Sequence, residues 1–168
     1  MNYNIKEELI IRKIIEKNTD WNLEINQNYK NKYGYDLELY KHITNGSEVG
    51  FEKKFICYIE VEYGESWKEY DLPKNWIEIS FLKRKCFKYN FNTNQWTNEP
   101  KNNYDKCIYL KTNFNYTNCY YSKIEYLINC SESKRSKGCY KNSFISCNKN
   151  DENIMFGFKN LNNYLKTI

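Results

Sequence analysis

Alanine is absent from the 168 residues, and three arginines stand against 23 lysines in a chain crowded with asparagine. An AT-rich coding sequence gives that bias without any selection on function, so chemistry has to be read from positions and not from abundances. The single histidine, His42, leaves a Ser-His-Asp or Cys-His hydrolase dependent on one residue with no partner motif. With 6 glycines and no Gly-rich phosphate loop, a kinase or nucleotide-dependent switch lacks support. No run approaches the roughly 18 to 20 consecutive apolar residues of a membrane span. The opening stretch Met1 to Glu8 lacks the basic-then-apolar order of a secretory leader. Together these point to a cytoplasmic protein without a membrane partner.

What is present argues for a folded domain. Tyr, Phe and Trp number 17, 9 and 4, enough apolar surface for a core despite a mean hydropathy of -0.90. A length of 168 residues suits one domain and is short for two, so 1–168 is read as a single unit. The net charge of +5 permits a nucleic-acid partner, and solubility alone would also explain it. Seven cysteines, an odd number with no close Cys-x2-Cys pair, read as reduced thiols. A zinc site from Cys119, Cys130, Cys139 and Cys147 is the weaker alternative.

Ile5, Leu9, Ile10 and Ile14 predict an amphipathic helix over Ile5 to Lys17. Alternation at Trp21, Leu23 and Ile25, and again from Tyr35 to Tyr40, predicts two strands. The turn signal Thr44-Asn45-Gly46-Ser47 then leads into a β-branched and aromatic run from Phe55 to Tyr63, which predicts a long hairpin. Further strands are expected over Trp76 to Ser80 and Cys107 to Lys111, with a short helix or ribbon from Phe81 to Tyr89 whose outer face is basic. Tyr120 to Ile128 and Ser143 to Cys147 are weaker strands, and Phe158 to Lys166 a closing helix. Asn90 to Tyr104 and Ser131 to Gly138 read as polar loops. The resulting class is α/β, a mixed sheet flanked by helices, with a core over about residues 5–112 and an elaboration over about 113–168.

The most informative segment is Ile59-Glu60-Val61-Glu62-Tyr63. Strand side chains alternate, so Glu60 and Glu62 leave one face together and Ile59, Val61 and Tyr63 the other. In a hairpin centred on Glu48, residues whose numbers sum to 96 face each other, which sets Asp36 opposite Glu60. Three acids on one face repel, so a cation is expected among them. Hard oxygen ligands suit Mg²⁺ or Mn²⁺. The plainer reading pairs these acids with Lys41, Lys53 or Lys54 on a solvated sheet.

Gly34-Tyr35-Asp36-Leu37-Glu38-Leu39, then Tyr58-Ile59-Glu60-Val61-Glu62, then Leu72-Pro73 and a strand leading to Lys83-Arg84-Lys85, resembles the PD-(D/E)xK nuclease superfamily, over about Ile5 to Leu110. The resemblance implies a restriction-endonuclease-like fold, running helix, Asp strand, acid strand, third strand, helix, fourth strand. It implies a metal-dependent endonuclease acting on nucleic acid, with DNA the expected form and a homodimer compatible with it. Asp36 and Glu60 would ligate Mg²⁺ or Mn²⁺, with Glu62, at the place where the motif has Lys, as a further ligand or as the base orienting the attacking water. The missing motif lysine would come from Lys54, Lys83 or Lys85, and Glu7 or Glu8 resembles the acid many members supply from the first helix.

Lys83-Arg84-Lys85 and Lys134-Arg135-Ser136-Lys137 hold two of the three arginines, a residue AT-rich coding does not favour, and either is a candidate contact for backbone phosphates, with Lys54 grouped with the first. Trp67 reads as core packing more than as a base-stacking ring. The competing class is a catalytically inactive nuclease-like protein that binds nucleic acid or a protein partner. An origin in a virus or mobile element would suit it.

Overall fold

A computed structural model of the chain describes residues 11, 14, 21–25, 34–44, 51–130, 132–134 and 143–168. In chain order the strands are β1 (Trp21–Ile25), β2 (Leu37–Thr44), β3 (Phe51–Tyr63), β4 (Glu78–Leu82), β5 (Phe87–Asn90), β6 (Gln95–Pro100), β7 (Cys107–Thr112), β8 (Cys119–Lys123), β9 (Glu132–Lys134), β10 (Ser143–Asn148) and β11 (Met155–Phe156). Two helices follow late, α1 (Ile124–Leu127) and α2 (Phe158–Leu165), and 3-10 turns occupy Lys83–Lys85 and Tyr104–Lys106. The protein is a mixed α/β fold, rich in strands and poor in helices.

The main sheet has six strands in the order β1-β2-β3-β7-β8-β11. Among the described strands of this sheet, only β3 and β7 run parallel. A parallel neighbour needs a crossover, because the chain must return to the same end of the sheet. Residues 64–106 supply it, carrying β4, the β5–β6 hairpin and both 3-10 turns.

Alternation sorts the strands into two faces. Leu37, Leu39, Ile59, Val61, Ile108, Leu110 and Tyr121 pack on one side with Ile11, Leu161 and Leu165. The opposite face carries Tyr109 and Tyr120 against Ile79 and Phe81 of β4, Ile145 and Cys147 of β10, and Ile124 and Leu127 of α1. A three-stranded sheet in the order β4-β10-β9 thus covers the face from which Glu60 and Glu62 project. Trp67 is fully buried in this layer, stacked on Tyr120 at 5.5 Å with Nε1 donating to Asp71 O, as core packing requires.

Several expectations are corrected. The third strand, β4, leaves the main sheet and pairs with β10. Phe81 to Tyr89, expected as a short helix or ribbon, forms the end of β4, one 3-10 turn and β5, and no α-helix lies between β4 and β7. The stretch read as a loop from Asn90 to Tyr104 contains β6, closed onto β5 by an Asn90 side chain that accepts from the Asn92 and Thr93 amides and by Asn94 at φ 53°. Strand β8 ends at Lys123, where the chain turns into α1. Glu132–Lys134 is a strand within the second predicted loop. Cys119 lies on the helix-covered face while Cys130 and Cys147 belong to the other, so the sheet separates these candidate zinc ligands. Cys139 lies outside the described residues, as do Glu7, Glu8, Arg135 to Lys137 and the hairpin turn. Of the predicted first helix, Ile11 and Ile14 are described and are helical. Among the described residues, no helix is long and apolar enough to cross a membrane.

Candidate active site

Strand β3 is set by its odd-numbered residues: Ile59 and Val61 enter the helix-covered core, which fixes Glu60 and Glu62 on the other face. That face is also covered, leaving Glu60 only 3% and Glu62 only 8% exposed. Ionised carboxylates there demand partners. The β2–β3 register pairs Leu37 with Ile59 and Leu39 with Cys57, and a bulge between Leu39 and Tyr40 shifts it only on the turn side. Asp36, one residue before β2, therefore falls level with Glu60, as the hairpin arithmetic predicts. Its Oδ2 accepts a 2.7 Å hydrogen bond from the Val61 amide, which ties it to the acid strand.

The cations beside these acids are lysines from distant segments. Lys85, on the 3-10 turn after β4, places Nζ 3.0 Å from Asp36 Oδ2 and 3.3 Å from Glu60 Oε1, and donates to the Val61 carbonyl. Lys101, just past β6 and 7% exposed, places Nζ 3.5 Å from Glu60 Oε1 and 3.4 Å from the Gly34 carbonyl. Lys111 stands beside Glu62 in the parallel register of β3 and β7, its Nζ 2.6 Å from Glu62 Oε1. Tyr109 donates its hydroxyl to Glu62 Oε2, and the Leu82 amide reaches the Tyr109 hydroxyl at 3.0 Å and the same carboxylate oxygen at 3.4 Å. Glu62 thus has both oxygens engaged, whereas Glu60 Oε2 is buried with no hydrogen-bond partner among the described residues.

Burial, and then the charge of Asp36, push the Glu60 carboxyl above its ordinary value, against the opposing pull of Lys85 and Lys101. Burial works against the Lys85 ammonium, but Glu60 and Asp36 outweigh it and hold that pKa above the usual lysine value. Lys85 is therefore a permanent cation. Burial and the neighbouring Glu62 raise Tyr109 well above its ordinary pKa, which keeps the phenol a donor. Cys86 and Cys107 are also raised, by burial and by Glu60, and stay neutral thiols.

Of the predicted lysines, Lys85 alone joins the acids. Lys54 is exposed on β3 opposite Lys41, which corrects the pairing of the acids with lysines of the hairpin. Lys83 turns to Asn98 of β6 at 2.7 Å, and Arg84 is exposed on the same turn. Lys101, Tyr109 and Lys111 carry no local sequence signal, since each reaches the acids through the non-local packing of residues 64–112.

Two cavities flank the cluster. One, of about 310 Å³, is bounded by Glu62, Lys111, Ser80 and Trp76. The other, of about 390 Å³, lies beyond Lys101 at the β5–β6 hairpin.

Among the described residues no group of three or more His, Cys, Asp or Glu side chains is arranged to hold a metal ion. The fitting donor set is smaller: Asp36 and Glu60, sharing Lys85, with Glu60 Oε2 a buried oxygen to which no described residue donates. Mg²⁺ is commonly held by one or two carboxylates with waters and substrate phosphate completing the shell, so this pair suits it. No family model, curated protein or solved structure matches the chain.

Proposed function

We propose that this chain is a metal-dependent nuclease of the PD-(D/E)xK kind, built on a restriction-endonuclease-like variant of the mixed sheet and hydrolysing phosphodiester bonds, with DNA as the expected substrate. One observation carries the reading: Asp36, Glu60 and Lys85, from three separate segments, meet within 3.3 Å of one ammonium. An acid, an acid and a lysine are the three functions the motif requires, and here the lysine arrives from position 85 while Glu occupies position 62.

Asp36 and Glu60 would hold Mg²⁺ or Mn²⁺, which supplies Lewis acidity and lowers the pKa of bound water. Asp36 is oriented by the Val61 amide, and Glu60 offers Oε2. Lys85 supplies a fixed positive charge where negative charge develops on the phosphate, the kind of preorganised donor that acts strongly in a dry site. Glu62, held by Tyr109 and Lys111, fixes the spacing of β3, β4 and β7 around the pair.

The second reading is an inactive nuclease-like binder of nucleic acid or protein. It is favoured by the three lysines that already neighbour the three acids and lessen their need for a metal. Thermal melting in EDTA, Mg²⁺ and Mn²⁺, beside Glu60→Ala, separates the two. A Mn²⁺-dependent rise lost in the variant supports the nuclease, since a ligand that binds only the folded state raises the melting temperature. No rise at millimolar metal supports the binder.

A further inference from the structure

Four aromatic rings line the cavity of about 390 Å³ at the β5–β6 hairpin, together with Glu38, Lys88 and Lys101. Tyr35 and Tyr58 form one pair, stacked with centroids 4.8 Å apart and anchored in the core, where the Tyr35 hydroxyl donates to the Asn102 carbonyl at 2.8 Å. Tyr89 and Phe91 form the other, edge to face at 5.4 Å, and Phe91 at the hairpin tip is 65% exposed. Lys101 joins this cavity to the acids: its Nζ lies 5.3 Å from the centre of the Tyr35 ring and 3.5 Å from Glu60 Oε1. Lys88 lies at the same cavity, its ammonium held by Glu99.

We infer that this cavity receives the base of an unpaired nucleotide, so that the substrate of the proposed site is single-stranded nucleic acid or an unpaired nucleotide within a duplex. The inference rests on the nuclease reading and names its substrate class. A planar ring stacks on aromatic side chains that line a cavity, and every base offers a π-face to stack upon. The occupant's next phosphate would lie on the Lys101 side, toward Asp36, Glu60 and Lys85. A base inside a duplex presents only its edges, so stacking in a pocket requires it to leave the helix. The cavity on the other side of the cluster is more acidic: Glu62, Glu65 and Glu78 line it with the single lysine Lys111, against Glu38 with Lys88 and Lys101 here.

The test is fluorescence anisotropy in EDTA, where cleavage does not intervene, with labelled strands of about 12 nucleotides, a length within reach of one binding surface. The probes are a DNA strand, an RNA strand of the same sequence, the DNA duplex, and a DNA strand whose bases are replaced by abasic sugars. The protein should bind one or both natural single strands about fivefold or more tighter than the abasic strand and the duplex, and Phe91→Ala should remove most of that margin while Phe91→Trp keeps it. Phe91 is exposed enough that its truncation leaves the fold intact, and the abasic comparison needs no variant at all. Equal binding of natural and abasic strands, tighter binding of the duplex, or an unchanged Phe91→Ala would overturn the inference. If Asp36-dependent cleavage persists alongside such a result, the nuclease reading survives without the pocket. Base-dependent binding with no metal-dependent cleavage leaves the pocket standing and overturns the nuclease.

Discussion

Lys85 Nζ lies 3.0 Å from Asp36 Oδ2, joining residues 49 positions apart in the chain. The turn that carries Lys85 follows β4, and β4 is fixed to the layer over the acid face by its pairing with β10. The C-terminal part of the chain therefore helps to hold a residue of the candidate site. Replacing Lys85 with Met should reduce metal-dependent cleavage by about 10²- to 10³-fold, the loss typical when one preorganised donor is removed from a developing charge. The variant also takes a cation from the buried Glu60, which is left with Lys101 at 3.5 Å, so the melting temperature should fall as well. Single-turnover cleavage measured well below the variant's melting temperature separates the two effects: full activity of the folded variant would assign Lys85 a structural role.

Glu60 makes stability depend on pH. Its folded carboxyl is raised, first by burial and then by Asp36, so the folded protein retains a proton that the unfolded chain has released. The stabilising contribution is whole below the ordinary Glu value of about 4.3 and is lost as pH climbs through the folded value. In EDTA, the melting temperature of the wild type minus that of Glu60→Gln should therefore decline as pH rises above about 4.3. A constant difference would show that Glu60 titrates alike folded and unfolded. Metal requires the ionised carboxylate, so any Mn²⁺-induced rise should grow over the same interval.

The Asp36–Glu60 alignment was legible because it depends on local pattern: Leu37 and Leu39 on one arm and Ile59 and Val61 on the other must share a face, and the hairpin does the rest. The bulge at Leu39/Tyr40 left no mark in the pattern, and it happened to fall on the far side of the acids. Lys101 and Lys111 were hidden for a different reason. Their approach to Glu60 and Glu62 depends on how residues 64–106 cross over to bring β7 parallel to β3, a non-local arrangement with no periodic trace. The β5–β6 hairpin was masked by composition, because asparagines scattered through the chain looked like loop residues where some of them build the turn.

Glu62 and Lys111 should behave as a buried ion pair. Lys111→Met leaves a carboxylate that is 8% exposed beside only Tyr109 and the Leu82 amide, and should cost about 3 to 5 kcal/mol. Tyr109→Phe removes one hydrogen bond from a buried oxygen and should cost about 1 to 3 kcal/mol. Urea unfolding measures both. The double variant should fall short of the sum, since both substitutions act on the same carboxylate. Strict additivity would mean that the two partners hold Glu62 independently.

Gly64 closes β3 where the chain leaves the acid strand, and its amide donates to the Thr112 carbonyl at 2.9 Å. A methyl group there would sit 2.7 Å from that same carbonyl oxygen and 3.5 Å from Cβ of Trp67. The obstacle is backbone of β7, which cannot swing aside as a side chain does. Gly64→Ala should therefore push the ends of β3 and β7 apart and cost about 1 to 3 kcal/mol, the usual penalty of overpacking. Because Glu62 and Lys111 meet one to two residues away, the displacement should also weaken their pairing. The loss in Gly64→Ala should then shrink when Lys111→Met is already present, and a urea-unfolding cycle over the two substitutions measures that coupling. An unchanged unfolding midpoint in Gly64→Ala alone would mean that the two strand ends are further apart than their hydrogen bond implies.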